Sequence, residues 1–254
     1  MTIPRSVAVR AWQVGTVVLV VAALEAISAT GLVRPTVLPA PHDAVAALGP
    51  SLLDGTLWSN TAITLGRVLA AFMVGAVVGI GLGFLLWRLP RTATRSIEPL
   101  LASAYAIPWI AFYPALLVVF GLGDTPVILI ASILSAVPVA LNTFIGLAGL
   151  KPAWLAVAKV NRTPLVDRLT KVVLPGAAPH IVSGLKLGFI YAYLGVIGTE
   201  YLRSTEGLGY LVNTSYYFFQ TTAMYGYVLI VLVIAVFVTL ALTAFEKTVG
   251  GRFR

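Results

Sequence analysis

Cysteine is absent from this chain, histidine occurs only twice, and charged residues make up 10% of it. The first absence excludes disulfides and thiolate metal sites. The two histidines, His42 and His180, stand far apart with no carboxylate at metal-ligand spacing, so no metal site is expected. Soluble domains carry about 25% charged residues; a chain that is 59% hydrophobic and this poor in charge is instead a polytopic membrane protein. No GxxxxGK[ST] sequence is present to cradle nucleotide phosphates, and neither GxSxG nor a paired-carboxylate or paired-histidine constellation suggests catalysis. The chain reads as a non-enzyme without a cofactor of its own. The net charge of +8 is spread in short clusters between apolar runs rather than gathered in one patch, which argues for topology and against nucleic acid.

What is present is a succession of apolar runs. The first, about residues 11 to 29, follows Arg5 and Arg10 and is longer than the ~7 to 15 residues of a signal-peptide core, so it reads as a retained span. Residues 31 to 60, rich in Pro and Gly, read as an outer segment with short helices at 43 to 48 and 52 to 58. Span two, about 61 to 87, carries Gly75, Gly79 and Gly83 at four-residue intervals, which leaves one helix face bare for close approach by a neighbour. Arg67 in the same span is expected to snorkel or to pair with a carbonyl or carboxylate. Span three, about 100 to 120, is interrupted by Pro108 and Pro114; span four, about 126 to 147, contains Pro138. Kinked spans tend to face protein or a water-lined cavity, so these two are the candidates for lining a pathway. Span five, about 182 to 201, ends near Glu200, and span six covers about 223 to 245.

With six spans, thirteen Lys/Arg residues fall on the side that holds both termini, and only Arg34 and Arg203 fall on the other. The positive-inside rule then puts both termini in the cytoplasm of a cell (plasma or inner) membrane. Carboxylates near the midplane, which an ion-coupled carrier would be expected to have, are missing from spans two to four. No internal repeat is visible. An ion-coupled secondary transporter or channel remains the alternative reading.

The one long polar and basic stretch of the second half runs from Gly149 to about residue 183. Apolar residues at Trp154, Leu155, Ala158, Leu165, Val166, Leu169, Val172 and Val173 predict a short amphipathic helical hairpin, broken near Pro164, on the membrane surface. For the pathway, Tyr105, Trp109, Tyr113, Asn142, Tyr191 and Tyr193 place polar groups on apolar bodies in the kinked or Gly-rich spans, although most aromatics in spans are packing or interface belt. Glu200 is an ionisable residue in a membrane-facing turn and therefore a functional candidate, with a solvated structural role as the alternative.

The order Gly149, Pro152, Ala156-Val157-Ala158, Val172-Val173-Leu174-Pro175, Pro179 and Gly184-Leu185 resembles the cytoplasmic coupling loop of binding-protein-dependent ABC importer permeases. Leu38-Pro39-Ala40-Pro41, Thr64-Leu65-Gly66-Arg67-Val68, Glu98-Pro99, Ile107-Pro108, Phe120-Gly121-Leu122-Gly123, Asn142-Thr143, Thr199-Glu200 and Gly207-Leu208-Gly209 fall in the family's order as well, over about residues 38 to 250. The branch it is most similar to is that of the nitrate, sulfonate, taurine and bicarbonate permeases. The resemblance implies an all-α, six-span type I importer fold, with an N-terminal tail and first span over 1–37 and a permease core over 38–254. It also implies a second permease copy, a separate ATPase that binds ATP and Mg, an extracytoplasmic solute-binding protein, and docking through Trp154, Leu155, Ala156, Ala158, Arg162, Leu165, Arg168, Leu174 and Pro175. Two positions depart from the family, which usually has Glu at Ala156 and Gly at Arg162.

Overall fold

The computed structural model describes residues 5–31 and 33–252, and within them every regular element is helical. In chain order these are α1 (Arg5–Ala29), α2 (Pro41–Ala46), α3 (Gly49–Leu53), α4 (Thr56–Arg88), α5 (Arg91–Ser103), α6 (Tyr113–Phe120), α7 (Asp124–Ala148), α8 (Pro152–Val160), α9 (Leu165–Arg168), α10 (Leu174–Arg203), α11 (Leu208–Tyr217) and α12 (Thr221–Arg252). Two 3-10 turns, Ala104–Ala106 and Trp109–Phe112, lie between α5 and α6, and a π turn, Leu169–Val173, joins α9 to α10.

Four stretches of the described chain are helical, long and apolar enough to cross a membrane: α4, α7, the run containing α10, and Thr221–Ala244 of α12. A fifth arises if α5 and α6, bent by 73° at the break between them, count as one span; Gly15–Ala29 of α1 is a shorter apolar helix. The two short helices α2 and α3 sit a few residues earlier than the apolar pattern suggests, because Pro41 and Pro50 each occupy a first-turn position where a missing N–H costs nothing. Span five also begins earlier. The π turn carries the backbone straight from α9 into α10 at Leu174, and Pro175, in the first turn, does not interrupt it.

Packing separates two compact units, Met1–Ser59 with Leu211–Leu232, and Asn60–Tyr210 with Val233–Arg254. In the first, His42 meets the carboxylate of Glu25, Ser51 shares a 2.5 Å hydrogen bond with the hydroxyl of Tyr227, and Gly226 lies against the carbonyl of Ala44 and the side chain of Leu48.

The second unit is built on α7, which α4 and α10 grip from two sides. Along α4, a Cβ added at Gly75 would lie 2.5 Å from Ser135 Cβ, at Gly79 2.6 Å from Val139 Cβ, and at Gly83 2.6 Å from Thr143 Cβ. Along α10, Gly184 meets Asn142, Gly188 meets Val139 and Ser135, and Gly195 meets Ala131. Where no hydrophobic drive separates helix from lipid, such backbone-close contact is the main source of association. At the other end of these helices Leu147, Leu150, Val173 and Ala177 form a buried cluster, with Phe84, Trp87, Leu169 and Ile181 packed against it. That cluster seats the segment from Pro152 onward on α4, α7 and α10.

Candidate functional site

Three groups of residues carry the sequence expectations, and each is described within the larger unit. The first is ionic. Glu200, fully buried, and Arg67, only 6% exposed, pair through Nη1 and Oε1 at 2.9 Å. A buried charge is tolerable only when paired and hydrogen-bonded, and both are. The Glu200 carboxylate accepts from the Thr64 hydroxyl at 2.8 Å and from the Gly209 N–H at 3.1 Å. The same hydroxyl accepts from the Leu208 N–H at 2.8 Å, and Asn60 Oδ1 accepts from the Gly207 N–H at 2.6 Å. In this way donors that the first turn of α11 leaves without helical partners are satisfied by side chains of α4 and α10. Gly207 has φ +106°, and a Cβ on it would collide with the Glu200 carboxyl, so the Gly-Leu-Gly turn follows from the site it wraps. Arg67 also donates from Nε to Asp124 at 2.7 Å and from Nη1 to the carbonyl of Glu206 at 2.9 Å. Asp124, the first residue of α7, is 64% exposed. The cluster thus fastens α4, α7, α10 and α11 at one end.

The second group is aromatic. Tyr105 and Tyr191 face each other with ring centroids 5.6 Å apart; Tyr105 is exposed on its other side and Tyr191 is half-buried. Trp109 turns its indole N–H back to the Ala104 carbonyl at 2.9 Å. Tyr113 is buried and donates to the carbonyl of Arg203 at 2.7 Å. Tyr193 is buried. Asn142 donates to the carbonyl of Pro138 within its own helix and lies at the crossing with Gly184, so it is part of the grip on α7. Of the pathway candidates, the structure brings Tyr105 and Tyr191 together, with Trp109 on the same broken segment as Tyr105. Tyr113 and Glu200 are placed in the fastening of the helix ends.

The third group is the loop. In α8, Ala158 is buried, Ala156 is exposed, and Trp154 stands 45% exposed with the Lys151 ammonium 5.4 Å from its ring. The side chain of Leu155 lies outside the described residues. The chain reverses between Asn161 and Pro164, where Arg162 takes φ +50°. That is the left-handed region, disfavoured by about 1–2 kcal/mol for a residue with a Cβ. Val157, Val160, Leu165, Val166 and Leu174 are exposed, Arg168 and Pro175 half-buried. Between α8 and the base of α10 lies a cavity of about 600 Å³, lined by Trp154, Val157, Ala158, Val172, Pro175 and Pro179 among others. The loop thus leaves a contiguous apolar surface in the open, the kind that marks contact with a protein or a membrane.

The sequence alone does not say which carboxylates Arg67 meets, and it places Thr64 in the family's order without giving it a role. Thr64 and Arg67 are three residues apart on one helix face, and Glu200 precedes Gly207-Leu208-Gly209; that conjunction was the available signal.

Comparison with known proteins follows the same lines. A protein-family profile described as "Binding-protein-dependent transport system inner membrane component" matches residues 75–251. The chain is 30% identical over 215 residues to the putative aliphatic sulfonates transport permease protein SsuC of Bacillus subtilis, an alignment covering 85% of this chain and 78% of that one. It is 26% identical over 240 residues to the taurine transport system permease protein TauC of Escherichia coli, covering 92% and 87%. Among solved structures, the MetNI methionine ABC transporter in an inward facing conformation shares the fold with a TM-score of 0.66 at 18% identity, over 78% of this chain and 97% of that chain.

Proposed function

The chain belongs to the family of binding-protein-dependent transport system inner membrane components, and from that premise we propose that it forms the pathway of an ATP-driven importer for a small sulfonate such as taurine. It works with a second permease, with a separate ATPase that binds ATP and Mg, and with an extracytoplasmic solute-binding protein. Both termini and residues 149–183 face the cytoplasm, the arrangement favoured by the distribution of Lys and Arg. The sulfonate class is supported by the similarity to SsuC and TauC.

The observation that carries the coupling role is the exposed apolar face of the loop around the strained Arg162 turn, seated by the Leu147–Ala177 cluster on the ends of α4, α7 and α10. A docking surface on a stiff mount transmits displacement to those helices. An exposed apolar side chain buried on docking contributes about 1.5–3 kcal/mol, while exposed basic side chains contribute at most about 1 kcal/mol.

Val160 is 81% exposed, so Val160→Asp leaves the permease fold intact while placing an unpaired charge in the docked surface. Copurification of the ATPase from membranes should fall by at least tenfold, and ATP-driven taurine uptake into proteoliposomes with it. Unchanged copurification would remove the loop from the coupling surface. Gradient-driven uptake by the reconstituted chain alone, with no ATPase added, would favour an ion-coupled carrier instead.

A further inference from the structure

We propose that the corner where α4 turns into α5 binds the phosphate headgroup of an anionic phospholipid, with Arg88 as its main contact and Arg95 beside it, and that an acyl chain of this lipid lies along α4 over Leu85 and Leu82. Such a site requires only that α4 spans a membrane, for which it is long and apolar enough. It does not depend on which solute the chain carries.

The charge of the corner comes from its sequence. Residues 82–100 hold three arginines, Arg88, Arg91 and Arg95, and one carboxylate, Glu98. Among the described residues neither Arg88 nor Arg95 has an ion pair or a side-chain hydrogen bond, whereas Arg67, Lys171 and Lys186 each meet a carboxylate. An unneutralised excess of arginine attracts an anionic headgroup and repels the ammonium of a zwitterionic one. The guanidinium also matches phosphate oxygens with a planar fork of N–H donors.

The depth of the charge is set by aromatic rings. Arg88 is the last residue of α4, and its guanidinium carbon lies 5.2 Å from the centre of the Phe84 ring and 5.4 Å from that of Trp87. Phe84 is one turn back toward the apolar part of the helix, so the cation rests on ring faces at the end of the span instead of reaching out into water. Leu85, three residues before Arg88 and therefore its neighbour on the helix surface, is 56% exposed, and Leu82, three residues further back, is exposed as well. α5 closes the other side: the Thr94 hydroxyl donates to the Leu86 carbonyl at 3.2 Å, which holds the start of α5 against the end of α4, and Arg95 follows Thr94 in an exposed position. Exposed leucines leading up to an unpaired guanidinium match the two ends of a phospholipid. An acidic protein surface outside the membrane would not reach Leu82 and Leu85 within the span.

The place of the corner has a mechanical consequence. Phe84 and Trp87 pack against the Leu147–Ala177 cluster that seats the segment from Pro152 onward. A headgroup that fixes Arg88 braces the two rings on which this seat leans, and a ligand that binds the folded chain alone stabilises it.

Purified full-length chain in detergent can be offered phosphatidylglycerol or phosphatidylcholine with the same acyl chains, and bound lipid counted by native mass spectrometry. The parent should bind phosphatidylglycerol more tightly than phosphatidylcholine and gain melting temperature from it. Arg88→Gln and Arg95→Gln should each weaken phosphatidylglycerol binding about fivefold, the effect of one basic side chain at an anionic surface, and leave phosphatidylcholine binding as it is. Arg34→Gln, which removes the same charge from an exposed position in the other unit, should match the parent. Equal affinity of the parent for the two lipids overturns the proposal, as does unchanged phosphatidylglycerol binding in Arg88→Gln or an equal loss in Arg34→Gln. Displacement of the lipid by inorganic phosphate would assign the corner to a soluble anion, and loss of ATPase copurification in Arg88→Gln with lipid binding intact would assign it to the ATPase; either result overturns the lipid site. Failure of the importer reading would leave these lipid measurements as they are.

Discussion

Glu200 and Arg67 lie 133 residues apart in sequence and 2.9 Å apart in space, both in the buried interior at one end of α4 and α10. Removing Glu200 leaves the buried Nη1 of Arg67 without its carboxylate, with Asp124 on Nε as the remaining ion pair, a loss of up to about 3–5 kcal/mol. Glu200→Ala should therefore abolish or severely lower the recovery of folded protein from membranes. Asp124→Asn neutralises the exposed partner of the same guanidinium and should cost no more than about 1 kcal/mol. Thermal unfolding of the variants in detergent is the comparison to make, and equal losses at the two carboxylates would contradict the division between them.

The glycines of α4 make a sharper contrast. Gly79→Ala puts a methyl group 2.6 Å from Val139 Cβ and 2.7 Å from the Ala136 carbonyl, so α7 must shift; about 1–3 kcal/mol of destabilisation follows. Gly81→Ala meets nothing within 4 Å and should be neutral or stabilising by up to about 1 kcal/mol. Ser135 presents a buried hydroxyl with no hydrogen-bond partner among the described residues, and Ser135→Ala removes that burden at the same crossing; it should not destabilise. Detergent melting curves of the three variants would reveal the order, and a Gly81→Ala chain as damaged as Gly79→Ala would be inconsistent with the packing.

How much of this was readable beforehand follows from the range of each interaction. The Gly75, Gly79 and Gly83 periodicity is local, four residues at a time, and its meaning as a bare face is visible without coordinates. The break at Ile107-Pro108 is local too, since proline removes a donor where it stands. By contrast, nothing near Arg67 in sequence says which of several carboxylates it meets, because the answer depends on how α7 and α10 lie against α4. The Arg162 turn stands between these cases. The departure from the family's Gly was legible, while the left-handed conformation there, at φ +50°, needed the backbone.

That turn supports a prediction of its own. Arg162→Gly relieves a conformation that costs a residue with a Cβ about 1–2 kcal/mol, but it also loosens the unfolded loop. If the loop docks in the shape it has here, affinity for the ATPase should be unchanged or tightened by up to about tenfold, the equivalent of about 1.4 kcal/mol. Titration of detergent-solubilised permease with the ATPase measures this directly. Weaker binding would mean that the guanidinium itself contacts the partner.

Glu246, beyond the apolar part of α12, accepts hydrogen bonds from the Ser183 hydroxyl and from the Lys186 ammonium of α10, the latter at 3.0 Å. The Ser183 bond first, and then that from Lys186, holds its carboxyl below the usual carboxylate range. A lowered value means that the contact contributes fully above the unfolded-state pKa, about 4.3, and is lost as pH falls through the folded-state one. Partial exposure and screening limit it to about 1 kcal/mol. Between pH 7 and 5 stability should not respond to this group; below about pH 4 the parent should lose stability that Glu246→Gln lacks throughout. Acid titration of both proteins in detergent is the check, and parallel curves would dismiss the contact.

The separation of Arg67 from Glu200 also constrains how the chain is made. α4 leaves the ribosome long before α10, and until the later helix arrives a guanidinium near the end of an otherwise apolar segment has neither its carboxylate nor the turn around Gly207 to satisfy it. A guanidinium in that state favours the headgroup region, to which its side chain can reach. A chain truncated before residue 200 would therefore leave Arg67 with Asp124 of α7 as its one remaining carboxylate of the two it meets here.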